Sequence, residues 1–160
     1  MKTIPLSQNQ FAMVDDDDFQ LLKDFKWTAL KHGNTFYAGR FEAIGKGKRR
    51  LVRMHRFIMG AKEEETVDHI DRNGLNNTKE NLRMVTSSQN AWNRAKGKNG
   101  SSPYKGVSFH KDTGKYVARI MIEGKAKSLG YFDNPEEASV AYEKAADEYF
   151  GSYKPKNSII

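Results

Sequence analysis

Apolar residues along this chain fall into short runs whose spacing changes period several times. The first, Ile4 to Val14, is punctuated by Asn9 and reads as a short strand or turn. Phe19, Leu22 and Phe25 then recur at helical spacing behind Asp15 to Asp18, and acidic residues suit the positive end of a helix dipole. A short helix is predicted over residues 16 to 25. The aspartate run also raises the idea of a metal site, but successive helical residues point in different directions, which favours the capping role.

From Thr28 to Gly60, Gly33-Asn34 and Gly45-Lys46-Gly47 break two or three strand-like runs, the pattern of a β-hairpin, and His55 to Met59 reads as a short helix. The next stretch divides into a strand from Thr66 to Ile70, a loop from Asp71 to Lys79 centred on Asn73-Gly74, a strand from Asn81 to Val85, and a helix from Ser87 to Arg94. AKGKNGSSP has no apolar periodicity and reads as a linker. Beyond it, YKGVSFH, KYVARIMIE and KSLGYF predict three antiparallel strands. In the middle one Ala118, Ile120 and Ile122 form a buried face, opposite Val117, Arg119 and Met121. Asn134-Pro135-Glu136-Glu137 starts a helix whose Ala138, Ala141, Tyr142, Ala145 and Tyr149 lie against the sheet, and Gly151 ends it. The fold class is α+β, with residues 1–95 as a first domain, 96–103 as the linker and 104–157 as a second.

Composition narrows the function. The net charge of +7 and pI near 9.5 favour a polyanion such as nucleic acid. Between Arg40 and Arg56 seven Lys or Arg stand against one acid, which makes Arg49, Arg50, Arg53 and Arg56 candidate phosphate contacts. Residues 104–128 carry six cations against two acids, whereas 133–150 carry one against six, so the sheet rather than the helix should face DNA. The chain has no cysteine, which removes disulfides, thiolate zinc sites and cysteine nucleophiles. No apolar run is long enough to span a bilayer and Met1 to Gln10 lacks a signal-peptide core, so an unprocessed, soluble, cytoplasmic protein is expected.

The chemistry concentrates in VDHIDRNGLNNTKENLRMVTSSQNAWN. Phosphodiester hydrolysis needs a base to deprotonate a water, a hard cation and oxygen ligands to hold it. Asp68 offers a carboxylate, Asn81 and Asn90 amide oxygens, and His69 an imidazole suited to proton transfer near neutrality. Neighbouring strand residues point to opposite sides, so Asp68 and His69 can share one site only if the strand ends or twists there. Asn73, Asn76 and Asn77 are assigned to the turn.

This stretch, with MHRFIMG before it, resembles the HNH homing-endonuclease family of phages and mobile elements, through D-H-I-D, N-G-L-N-N, E-N-L-R-M-V-T and S-Q-N-A in order. The resemblance implies a ββα-metal core over about residues 55–95, with Asp68 and Asn90 as ligands of a divalent cation and His69 as general base. It implies that Asn81 orients the imidazole by a hydrogen bond, and that His55-Arg56 packs beside the site. Asn90 stands where many members have a second His. An amide oxygen favours a hard ion, so Mg²⁺ is the expected cofactor, with Mn²⁺ able to substitute.

Residues 101–157 resemble an AP2/ERF domain, through YKGV, GKYVARI, LGYFDNPEEASVAYEKAA and Asn157. That family lays its sheet in the major groove. Carried over, Lys105, Ser108, His110, Arg119, Met121, Lys127 and Ser128 fall near DNA-contact positions, with Lys105, Arg119 and Lys127 the best of them, while Phe109 and Tyr116 pack. Base preference does not transfer, because several positions lack the family's Arg or Trp. The expectation is a metal-dependent endonuclease acting as a monomer on double-stranded DNA, with no membrane and no obligate protein partner. The alternative is a non-catalytic DNA-binding regulator with a relic HNH fold.

Overall fold

A computed structural model describes residues 1–93 and 100–153. Arg94, Ala95, linker residues 96–99 and Asn157 lie outside the described residues. The chain forms two compact units, residues 1–87 and residues from 88 onward. Both are mixtures of small antiparallel sheets and short helices.

In the first unit β1 (Lys2–Pro5) and β2 (Phe11–Val14) pair as a hairpin, with Gln8 and Asn9 at positive φ in its turn. Helix α1 spans Asp16–Leu22, shorter than the predicted 16–25, because the indole of Trp27 and the backbone N–H of Phe25 both donate to the Leu22 carbonyl and turn the chain away. Asp15 takes the N-cap position of α1 without a side-chain capping hydrogen bond; it accepts instead from the Lys79 backbone N–H at 2.8 Å, and Asp18 pairs with Lys79 Nζ at 3.0 Å.

Strands β3 (Thr28–His32), β4 (Thr35–Ala43) and β5 (Arg49–Arg53) form a three-stranded antiparallel sheet in chain order, and α2 (Met54–Ile58) follows directly. One core cluster joins these pieces: Ile4, Ala12, Val14, Leu22, Trp27, Ala38 and Met54. Burying such apolar surface stabilises the unit by roughly 25 cal/mol per Å². Strands β6 (Thr66–His69) and β7 (Leu82–Val85) form a separate pair. Between them, residues 79–81 form a 3-10 turn, so Asn81 precedes the strand rather than opening it.

Helix α3 (Ser87–Asn93) starts where predicted, and all but its first residue group with the second unit. There β8 (Val107–His110), β9 (Lys115–Ile122) and β10 (Lys125–Phe132) form a sheet in the order β10-β9-β8, with Glu123 and Gly124, both at positive φ, making the two-residue turn. Helix α4 (Pro135–Phe150) packs on it through Ala138, Tyr142, Ala145, Ala146 and Phe150. Its start is as read: Asn134 Oδ1 accepts from the Glu137 N–H at 2.8 Å, with Pro135 in the first turn. Ala118 and Ile120 are buried on β9 as expected, but so is Val117 on the opposite face.

Gly106 lies at φ +73°, and a Cβ there would stand 2.1 Å from the Tyr142 ring and 2.8 Å from the Arg119 carbonyl. Its own carbonyl accepts from the Arg119 N–H at 2.8 Å. The glycine of YKGV therefore lets the chain press between β9 and α4.

Candidate active site

Asp68 and His69 are the last two residues of β6, so the strand ends where the chemistry requires. Both are buried. Asp68 stands opposite Arg83 of β7, and its Oδ2 accepts from Arg83 Nη2 at 2.8 Å and Nε at 3.0 Å. This mostly buried ion pair holds the carboxylate in one orientation.

The His69 imidazole packs among aromatic rings. Its centroid lies 4.9 Å from His55 and 5.6 Å from Tyr37, which are themselves 5.7 Å apart. The expected neighbour of the site, His55, is thus in contact with it. Burial lowers the pKa of His69, against the raising effects of its Asn77 hydrogen bond, Asp71 and Asp68. Burial also drives His55 down to about 3, helped by His69, Arg53 and Arg56, so His55 is neutral at any ordinary pH. The Tyr37 hydroxyl is pushed up by burial and by the Asp68 charge, so the ring beside His69 stays a neutral phenol.

The hydrogen-bond partner of the imidazole corrects the sequence reading. Asn77, assigned to the turn, is fully buried and its Oδ1 lies 3.3 Å from His69 Nε2. Asn81, expected in that role, is engaged elsewhere. Its Nδ2 donates to Asp71 Oδ1 at 2.9 Å and to the Asn76 carbonyl at 2.8 Å, and its Oδ1 accepts from the Asp71 N–H at 3.0 Å. With both amide protons spent, Asn81 ties the loop together. Asp71 and Asn73 complete the tie by accepting from the N–H groups of Asn73 and Leu75.

Strand β2 holds Asn77 in place. The Met13 N–H donates to the Leu75 carbonyl and the Met13 carbonyl accepts from the Asn77 N–H, both at 2.8 Å. The amide of Asn77 thus faces the imidazole from the loop, with both groups buried.

Among the described residues, no cluster of three or more His, Cys, Asp and Glu side chains is arranged to hold a metal ion. A hard divalent cation does not require one: such ions often bind through one or two carboxylates, with water and substrate phosphate completing the shell. The Asp68 carboxylate, held by Arg83, is a donor of that kind. Asn90 lies half-buried on α3, in the second unit.

The basic candidates separate into engaged and available groups. Arg50 pairs with Glu42, which also binds Arg40 at 3.1 Å. Arg56 is a brace rather than a phosphate contact, donating to the carbonyls of Lys62 and Glu65. Arg49 and Arg53 are exposed and form no ion pair among the described residues. In the second unit, strand register places Ser108, His110, Arg119, Met121 and Ser128 on one face of the sheet. Lys127 is not among them: it pairs with Ile120, faces α4, and donates to the Tyr149 hydroxyl at 2.7 Å. Lys105 Nζ donates to the Trp92 carbonyl at 2.6 Å.

Comparison with known proteins points the same way. Residues 55–92 match the family model described as HNH endonuclease. An uncharacterised HNH endonuclease of Acanthamoeba polyphaga mimivirus is 33% identical over 155 residues, covering 93% of this chain and 75% of its own. Protein 3.8 of Escherichia phage T7 is 37% identical over 37% of this chain and 49% of its own. An AP2-like ethylene-responsive transcription factor of Arabidopsis thaliana is 38% identical over 38% of this chain and 12% of its own. No solved structure gives a significant match. Among the described residues, no helix is long and apolar enough to cross a membrane.

Proposed function

This chain belongs to the HNH endonuclease family, and we propose that it is a metal-dependent DNA endonuclease whose second unit, an AP2/ERF-like module, brings it to double-stranded DNA. By the family resemblance, Asp68 and Asn90 are the residues that would take a divalent cation, Mg²⁺ by preference. The bound ion supplies neutralisation of charge on the phosphate and the leaving oxygen.

The chain's own groups do the rest. His69 Nδ1 takes a proton from water while Nε2–H donates to Asn77, so the positive charge arises on a ring already oriented. The water oxygen bonds to phosphorus and the in-line phosphorus–oxygen bond breaks. Tyr37 and His55 wall the imidazole and keep it from turning. Asn81 acts one step back, by fixing the loop that carries Asn77. The observation that carries this reading is the buried imidazole, hydrogen-bonded to a buried Asn77, immediately after a buried carboxylate.

A second reading draws on the Arg83–Asp68 pair. A carboxylate already compensated by a guanidinium attracts a cation less, as in a relic that binds DNA without cutting it. Incubating supercoiled plasmid with Mg²⁺ or Mn²⁺, with EDTA, and with His69→Ala separates the two. Nicked or linear product only with metal and intact His69 supports the enzyme; no metal-dependent product at any protein concentration supports the relic.

A further inference from the structure

The register of the first unit's three-stranded sheet sorts its side chains into two faces. Tyr37, Gly39, Phe41 and Ala43 alternate along β4, and their partners on β5 are Arg53 for Gly39, Leu51 for Phe41 and Arg49 for Ala43. Directly paired residues share a face, so Arg49, Leu51, Arg53, Phe41 and Tyr37 all look the same way. A Cβ on Gly39 would meet Leu30 Cδ1 at 2.5 Å and Leu51 Cδ1 at 3.1 Å, so these leucines close over the glycine as an apolar strip on that face. The opposite face carries Ala38 and Val52 into the core, and Arg40 and Arg50 in their links to Glu42.

The Tyr37 face therefore begins at the His69 ring and runs outward along the hairpin. Arg53 is close enough to the start to act on both Tyr37 and His55. Further along, Phe41 is 59% exposed and stands beside its partner Leu51 on the same face. Arg49 and the hairpin-tip residues Lys46 and Lys48, all exposed, lie beyond. Arg49 and Arg53 are about 13 Å apart along the strand, far enough for each to meet a different phosphate.

We propose that this face is a track for the DNA strand leading into the His69 site, with Arg49 and Arg53 on its phosphates and Phe41 against a sugar or base. The proposal rests on the nuclease reading and adds to it the path of the substrate. Alternating cation and aromatic is the chemistry that grips a nucleic-acid strand without reading sequence. A protein partner acidic enough to satisfy the arginines is the competing occupant, and DNA binding tests against it.

The test measures binding of a labelled duplex to the full chain by anisotropy, without metal and across a salt series. Arg49→Gln with Arg53→Gln should flatten the log–log salt dependence by about two, while Arg50→Gln leaves it unchanged. Phe41→Ala should weaken binding about tenfold at one salt concentration without altering the slope. Arg49→Lys with Arg53→Lys controls for folding and should retain the slope. An unchanged slope in the double Gln variant, or an equal change in Arg50→Gln, overturns the track. Because no cleavage is read, a protein that shows this pattern yet never cuts keeps the track and loses the nuclease reading. One that cuts without the pattern does the reverse.

Discussion

Asn77 Oδ1 stands 3.3 Å from His69 Nε2, and both side chains are buried. Replacing Asn77 by Ala frees the ring to take either tautomer. We expect a fall in kcat of about 10–100-fold, the usual loss when the partner orienting a functional imidazole is removed, with KM for DNA little changed. Asn81→Ala should instead lower thermal stability and activity together, since it loosens the loop. Steady-state cleavage and a melting curve on each variant distinguish the two roles.

Arg83 compensates the buried Asp68 carboxylate. Arg83→Met should destabilise the first unit by about 3 kcal/mol, because it leaves a charge buried without its partner. Adding Asp68→Leu should recover much of that loss in urea titrations while abolishing cleavage. Equal stability of the single and double variants would show that the pair contributes nothing.

His55 gives the fold an acid limb. Its pKa is about 3 in the folded state against 6.5 as a free side chain, so between those values the unfolded chain binds a proton that the native chain does not. The corresponding stability is complete above pH 6.5 and is lost as pH falls toward 3, at up to about 1.4 kcal/mol per pH unit. His55→Phe should make the urea midpoint less sensitive to pH between neutrality and about pH 5.

On the second unit, Arg119 and Lys127 lie on opposite faces of one sheet. If the outer face meets DNA, Arg119→Gln should reduce the salt slope of binding by about one and Lys127→Met should leave it unchanged. The reverse result would put α4 against the DNA.

Gly106→Ala asks for a side chain where Tyr142 and the Arg119 carbonyl already stand, at a positive φ. We expect the variant to lose at least about 2 kcal/mol of stability, measured by thermal unfolding of the full chain.

Local signals in the sequence were read well where the chemistry is itself local. Asn134-Pro135 defined a helix start because cap and first turn are neighbours in sequence, and β6 ended within one residue of the predicted Ile70 because the Asn-rich loop follows at once. The misreadings have long-range causes. Asn77 looked like one more turn former; its role depends on a ladder from Met13, more than sixty residues upstream. Lys127 was placed with Arg119 by the AP2/ERF resemblance, and the strand register that separates them is invisible in the letters. Arg56 was grouped with free cations because nothing in its own segment reveals the carbonyls of the following loop. The aspartate run could not announce Lys79 for the same reason.

The ladder from Met13 to Leu75 and Asn77 has a bearing on how such proteins exchange parts. The stretch that identifies the family begins at His55, yet Asn77, the hydrogen-bond partner of its His69, is fastened to a hairpin that lies outside it. Transplanted alone into another chain, that stretch would carry its signature and lose its aim. A working graft would have to bring the opening fourteen residues along, or evolve a substitute anchor for them.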